Sequence, residues 1–135
     1  MNLESVAKYS PYAHALLRIV AALCFLEHGT AKLLGFPHPP AQPALFSLLG
    51  VQGLIELVGG VLLLIGLWSR PVAFILAGDM AVAYFMAHFP KNFFPLLSGG
   101  DAAILYCFIF LFIFFRGAGP WSVDGRDAGG RAGAD

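Results

Sequence analysis

Charge is scarce in this chain: eight Lys and Arg and eight Asp and Glu stand among 135 residues, with no net charge. That balance excludes a basic field for nucleic acid and an acidic solvating tail, so no nucleic-acid partner is expected. Cysteine is scarcer still. Cys24 and Cys107 both fall in apolar runs, with neither C-x-x-C spacing nor a zinc-ligand pattern, which leaves no redox pair and no metal set. A glycine-rich nucleotide loop is also missing. What fills the chain instead is apolar: 59% hydrophobic residues and a mean hydropathy of +0.77, well outside the soluble range. The composition predicts an all-α membrane protein.

Four segments have about the ~20 residues needed to cross ~30 Å of hydrocarbon: 12–34, 51–68, 71–89 and 100–116. They predict a polytopic four-helix transmembrane bundle over residues 1–124, followed by a flexible polar tail at 125–135. The first segment is too long and too charged for a cleaved signal peptide and is expected to remain as a helix. Between the first two, Gly35-Phe36-Pro37-His38-Pro39-Pro40 and the moderately apolar stretch to Leu49 suit an interfacial or re-entrant connection. Ser69-Arg70-Pro71 is short enough to force an antiparallel hairpin. The stretch after Arg116 is rich in glycine and reads as disordered. With four crossings, Lys8, Arg18, Arg70, Arg116, Arg126 and Arg131 share one side and only Lys32 and Lys91 the other. The positive-inside rule then puts both termini in the cytoplasm.

Charges at membrane depth cost roughly 2.5–3.5 kcal/mol each, so they tend to be kept for function or pairing. The first segment carries Arg18, Glu27, His28 and Lys32; the next two carry Glu56 and Asp79. Counting ~1.5 Å per residue puts His28 roughly 9 Å from the outer end of its helix and Glu56 at nearly the same depth. Cys24, His28 and Lys32 fall on one helical stripe, and Gln52, Glu56, Gly59 and Gly60 on another. Contact of Glu56 with His28 or Lys32 is expected, with His28 and Glu56 as the proton-exchanging pair. Arg18 and Asp79 lie closer to the inner half and are expected to form a structural charge pair. Other readings stay open: Lys32 and Lys91 can snorkel to the headgroups, Asp101 can cap its helix, and Glu27 has no assigned role. Ala73, Ala77 and Ala81 form a small-residue face on the third segment, while the aromatic fourth segment suits contact with lipid or a second copy.

Several short motifs stand in order along this pattern. They are Leu17-Arg18, His28-Gly29-x-x-Lys32-Leu33, Glu56-x-x-Gly59-Gly60, Gly66-Leu67-x-x-Arg70, and Gly117-x-Gly119-x-x-Ser122-x-Asp124. Together they resemble the DoxX family of small four-helix bacterial membrane proteins, which includes the DoxD-type subunit of thiosulfate:quinone oxidoreductase. The resemblance implies a multi-pass protein of the bacterial inner membrane, associated with quinones or a redox-enzyme subunit, and carries over onto Arg18, His28, Lys32, Glu56 and Arg70. It suggests a quinone-interacting subunit of an oxidoreductase complex, with His28, Lys32, Glu56 and Gln52 as ligand-binding residues. With no domain outside the membrane to hold a soluble cofactor, any electron carrier would be a quinone or a partner's cofactor. The alternative is a non-enzymatic module that binds or conducts a small solute or recruits a partner. Haem between His28 and His88 is disfavoured, because their depths differ by roughly 6 Å and the motif lacks His88.

Overall fold

The computed structural model describes residues 2–38 and 43–126. Its described residues are all helical or irregular, without strands. A short α1, Leu3–Ala7, begins at Asn2, whose side chain accepts from the Glu4 N–H. The 25-residue α2, Ser10–Leu34, has proline in its first turn and stops at Gly35, whose φ of 67° no side chain penalises. α3 is Leu48–Ile65 and α4 is Ser69–Ala83, which runs on into a π-helical turn at Tyr84–His88. A one-turn α5, Pro95–Ser98, precedes α6, Asp101–Arg116.

The second expected segment shifts by three residues at each end, and the caps explain why. Ser47 Oγ accepts from the Gly50 N–H and starts α3 before its most apolar stretch. At the other end Gly66 takes φ 72° and Leu67 N–H donates to Leu62 O at 2.9 Å, a Schellman-type stop before Trp68. Capping chemistry therefore overrides the hydropathy profile.

Among the described residues, two helices are long and apolar enough to cross a membrane, Leu48–Ile65 and Ser69–His88. α2 has the length but carries Arg18, Glu27 and Lys32, and α6 has only 16 residues. All four long helices nevertheless expose large apolar side chains, among them Leu16, Val20, Val58, Val61, Phe74, Ile75, Phe108 and Phe115. The interior is made by Ala22 and Phe25 of α2, Leu63 of α3, Leu76 and Ala77 of α4, and Phe110 and Ile113 of α6. In α6, Phe110 and Ile113 are wholly buried, so its aromatic sequence does have an inner face that its hydropathy hides.

Glycine sets the closest approach of α2 to α3. A Cβ on Gly29 would lie 2.6 Å from the Leu57 backbone nitrogen, and one on Gly53 would lie 3.0 Å from Lys32 Cβ. Helices that touch backbone to side chain in this way bring their polar residues within direct bonding range.

Residues 117–126 correct the expectation of a disordered segment after Arg116. They fold back across the ends of α2, α3 and α4 and finish in a helical turn at 123–126. The remainder of the expected tail, residues 127–135, lies outside the described residues.

Candidate functional site

Two groups of buried polar residues have α2 in common. The first is built on Arg18, which is wholly buried. Its Nη1 donates to Leu63 O and Leu64 O at 2.9 and 2.7 Å, carbonyls of the last turn of α3. Nε donates to Ala118 O at 2.9 Å, and Nη2 to Pro120 O and Trp121 O at 3.2 and 2.7 Å. All five guanidinium N–H groups thus meet carbonyls, two from a helix end and three from the strap formed by residues 117–126.

Asp124 closes the same region. Its carboxylate oxygens accept from Trp68 N–H and Ser69 N–H at 3.0 and 2.8 Å, capping α4 from 55 residues away. Trp68 needs the help, because it holds φ 51° and its own side chain makes no cap bond. Arg70 does the corresponding work at the end of α6, donating to Phe114 O and Phe115 O at 3.2 and 2.8 Å. Arg18, Arg70 and Asp124 therefore make one clasp over three helix ends.

This geometry corrects the expected Arg18–Asp79 pair. Arg18 has no free donor to offer a carboxylate, and Asp79 belongs to the second group. There, Lys32 Nζ lies 2.9 Å from Glu56 Oε1 and 2.9 Å from Gln52 Oε1. Asp79 comes from α4: a Cβ on Gly59 would lie 2.7 Å from Leu76 Cδ2, and Glu56 and Asp79 stand three residues further along these two facing helices. The Lys32–Glu56 bridge is the one ion pair among the described residues, with Glu56 only 1% exposed and Lys32 23% exposed. Lys32 thus marks the side on which the cluster opens. Glu56 Oε2 and Asp79 Oδ2 are buried with no hydrogen-bond partner. A buried carboxylate oxygen left unpaired costs about 1–3 kcal/mol or more, so these acids, unlike Arg18, are held in an unsatisfied state; beside the clasp, Ser69 Oγ and His14 Nε2 are buried without a partner as well.

His28 does not reach Glu56. Its ring is exposed, with Nδ1 3.2 Å from Cys24 O, and it stands edge-on to Tyr106 at 5.9 Å between ring centroids. One turn away, Leu17, Val20, Cys24, Leu105, Tyr106 and Ile109 line an apolar groove of about 300 Å³ between α2 and α6. Glu27 is exposed on the outer surface of α2, and His88 sits with Nδ1 3.1 Å from Ser98 O beside the π turn. Tyr106 and Asp124 escaped the sequence reading. Asp124 stood in a quoted motif, but no local signal ties a carboxylate to a helix 55 residues earlier.

With this geometry in view, comparison with known proteins is informative. No solved structure matches the chain. An uncharacterized protein of Haemophilus influenzae is 42% identical over 134 residues, covering 92% of this chain and 97% of its own length. The DoxX family model matches residues 13–89, the stretch that holds Arg18, His28, Lys32, Gln52, Glu56 and Asp79 and stops before α6 and the strap. A match over more than half the chain, together with a full-length relative at this identity, shows that the chain belongs to the DoxX family.

Proposed function

We propose that this chain is a four-span inner-membrane protein, with both termini cytoplasmic, that binds a quinone beside Lys32 and Glu56 as a subunit of a membrane oxidoreductase. The four long helices with apolar outward faces support four crossings, and Lys8, Arg70, Arg116 and Arg126 near the clasp end support the orientation. The observation that carries the reading is Glu56 itself. A carboxyl with one oxygen on an ammonium and the other unpaired, set at membrane depth, is equipped to accept and return a proton. Lys32 and Gln52 can orient a quinone carbonyl at the cluster's open side, with His28 one turn below on the same helix. The groove along α2 and α6 offers an apolar bed for an isoprenoid tail. The protein supplies binding and proton exchange, while the redox chemistry belongs to the quinone and a partner.

Mass spectrometry of protein purified in mild detergent tests this directly. Wild type is expected to carry ubiquinone or menaquinone, and Glu56→Gln and Lys32→Met to lose most of it. Equal quinone content in all three proteins would rule the site out. A non-enzymatic module for solute binding or partner recruitment is the second reading, favoured by the Arg18 clasp, where a buried charge is wholly structural. Its signature is unchanged quinone-linked respiration in a deletion strain, together with altered permeability or a lost co-purifying partner.

A further inference from the structure

The Lys32 cluster contains more acid than base. Lys32 supplies one positive charge, whereas Glu56 and Asp79 supply two carboxyls, and Gln52 accepts from Lys32 Nζ without adding charge. Of the other titratable groups, only His28 on α2 is near enough to act electrostatically on Glu56, and it is exposed. From α6, Tyr106 stands edge-on to His28, with 5.9 Å between ring centroids. With both acids ionised, the buried cluster would carry a net negative charge in surroundings that solvate charge poorly. Glu56 Oε2 and Asp79 Oδ2 are both buried and left without a partner, as Ser69 Oγ is at the opposite end of α4. From the close approach of Gly59 to Leu76, where an added Cβ would lie 2.7 Å from Leu76 Cδ2, Glu56 and Asp79 stand three residues further along the two facing helices, on the same side. One proton removes the imbalance.

We propose that Glu56 and Asp79 share a single exchangeable proton, making Lys32, Gln52, Glu56 and Asp79 a neutral proton-binding site in which Asp79 is the second acceptor. This builds on the proton-exchange part of the reading above but needs no quinone. Lys32 fixes Glu56 Oε1, so the proton resides on Glu56 Oε2 or on Asp79, and the two acids titrate as a unit.

Dicyclohexylcarbodiimide, a lipid-soluble reagent that adds to a protonated carboxyl and takes its proton onto nitrogen, reads this state in intact membranes. Peptide mass spectrometry of wild type should find one modified carboxyl per chain, at Glu56 or Asp79, fading as pH rises. Asp79→Asn leaves Glu56 balanced by Lys32, so modification of Glu56 should fall by at least about tenfold, the factor expected of strongly coupled sites. Glu56→Gln should lower modification of Asp79 likewise, and Lys32→Met should raise total modification because two protons are then needed.

The proposal is overturned if wild type is not modified at either residue, or if Glu56 in Asp79→Asn reacts as in wild type. Suppression by sodium at constant pH would overturn it as well, identifying a metal cation in place of the proton. The wild-type pH and sodium series decide the matter even where a variant fails to fold. Loss of quinone from the purified protein with this labelling pattern intact would sink the quinone reading alone.

Discussion

The clasp at Arg18 and the cluster at Lys32 sit on the same helix, four turns apart, and treat buried charge in opposite ways. Arg18 is the more buried of the two cations, yet each of its five donors has a carbonyl. Lys32 is partly exposed, and the acids around it keep oxygens unpaired. A charge whose donors are all met is fixed in place, whereas unpaired oxygens leave room for a further hydrogen bond. Position along α2 alone therefore does not tell the two apart; the count of partners does.

Removing the clasp's centre should have the largest effect. Arg18→Met takes the side-chain donors away from five carbonyls and is expected to cost about 3–5 kcal/mol of stability, measured by denaturant unfolding in micelles. A loss under about 1 kcal/mol would dissolve the contrast, since the clasp would then be no more structural than the cluster. Asp124→Asn should cost about 1–2 kcal/mol through the lost cap on α4, and limited proteolysis should then cut within residues 117–126. Gly29→Ala should cost about 1–3 kcal/mol and also weaken ligand retention, because its Cβ pushes α2 away from the Leu57 backbone and parts Lys32 from Glu56. Lys32→Met combined with Glu56→Gln should change stability by only about 1 kcal/mol in either direction, since the pair is removed together. Its quinone content should nevertheless collapse.

The comparison also shows what the sequence discloses and what it hides. Helical periodicity put Lys32 and Glu56 on facing stripes, because spacing on a helix fixes direction. It could not separate His28 from Lys32. Both lie on one stripe of α2, and only the close approach at Gly29 and Gly53 selects Lys32 as the partner. Depth counting placed Arg18 and Asp79 near each other but carried no information on rotation around the bundle, so their pairing was wrong. The strap was read from its glycines as loose. Gly117 and Gly119 instead adopt φ of 90° and 73°, turns that aim the backbone carbonyls of residues 118, 120 and 121 at Arg18.

The most direct test compares unfolding temperatures with and without a short-chain ubiquinone for wild type, Arg18→Lys and Glu56→Gln. A lysine at position 18 has three donors for five carbonyls, so Arg18→Lys should unfold at a markedly lower temperature while keeping the ligand-induced rise. Glu56→Gln should unfold near the wild-type temperature and lose that rise. If Glu56→Gln instead falls as far as Arg18→Lys and still responds to quinone, the cluster is a structural element like the clasp and the account is wrong.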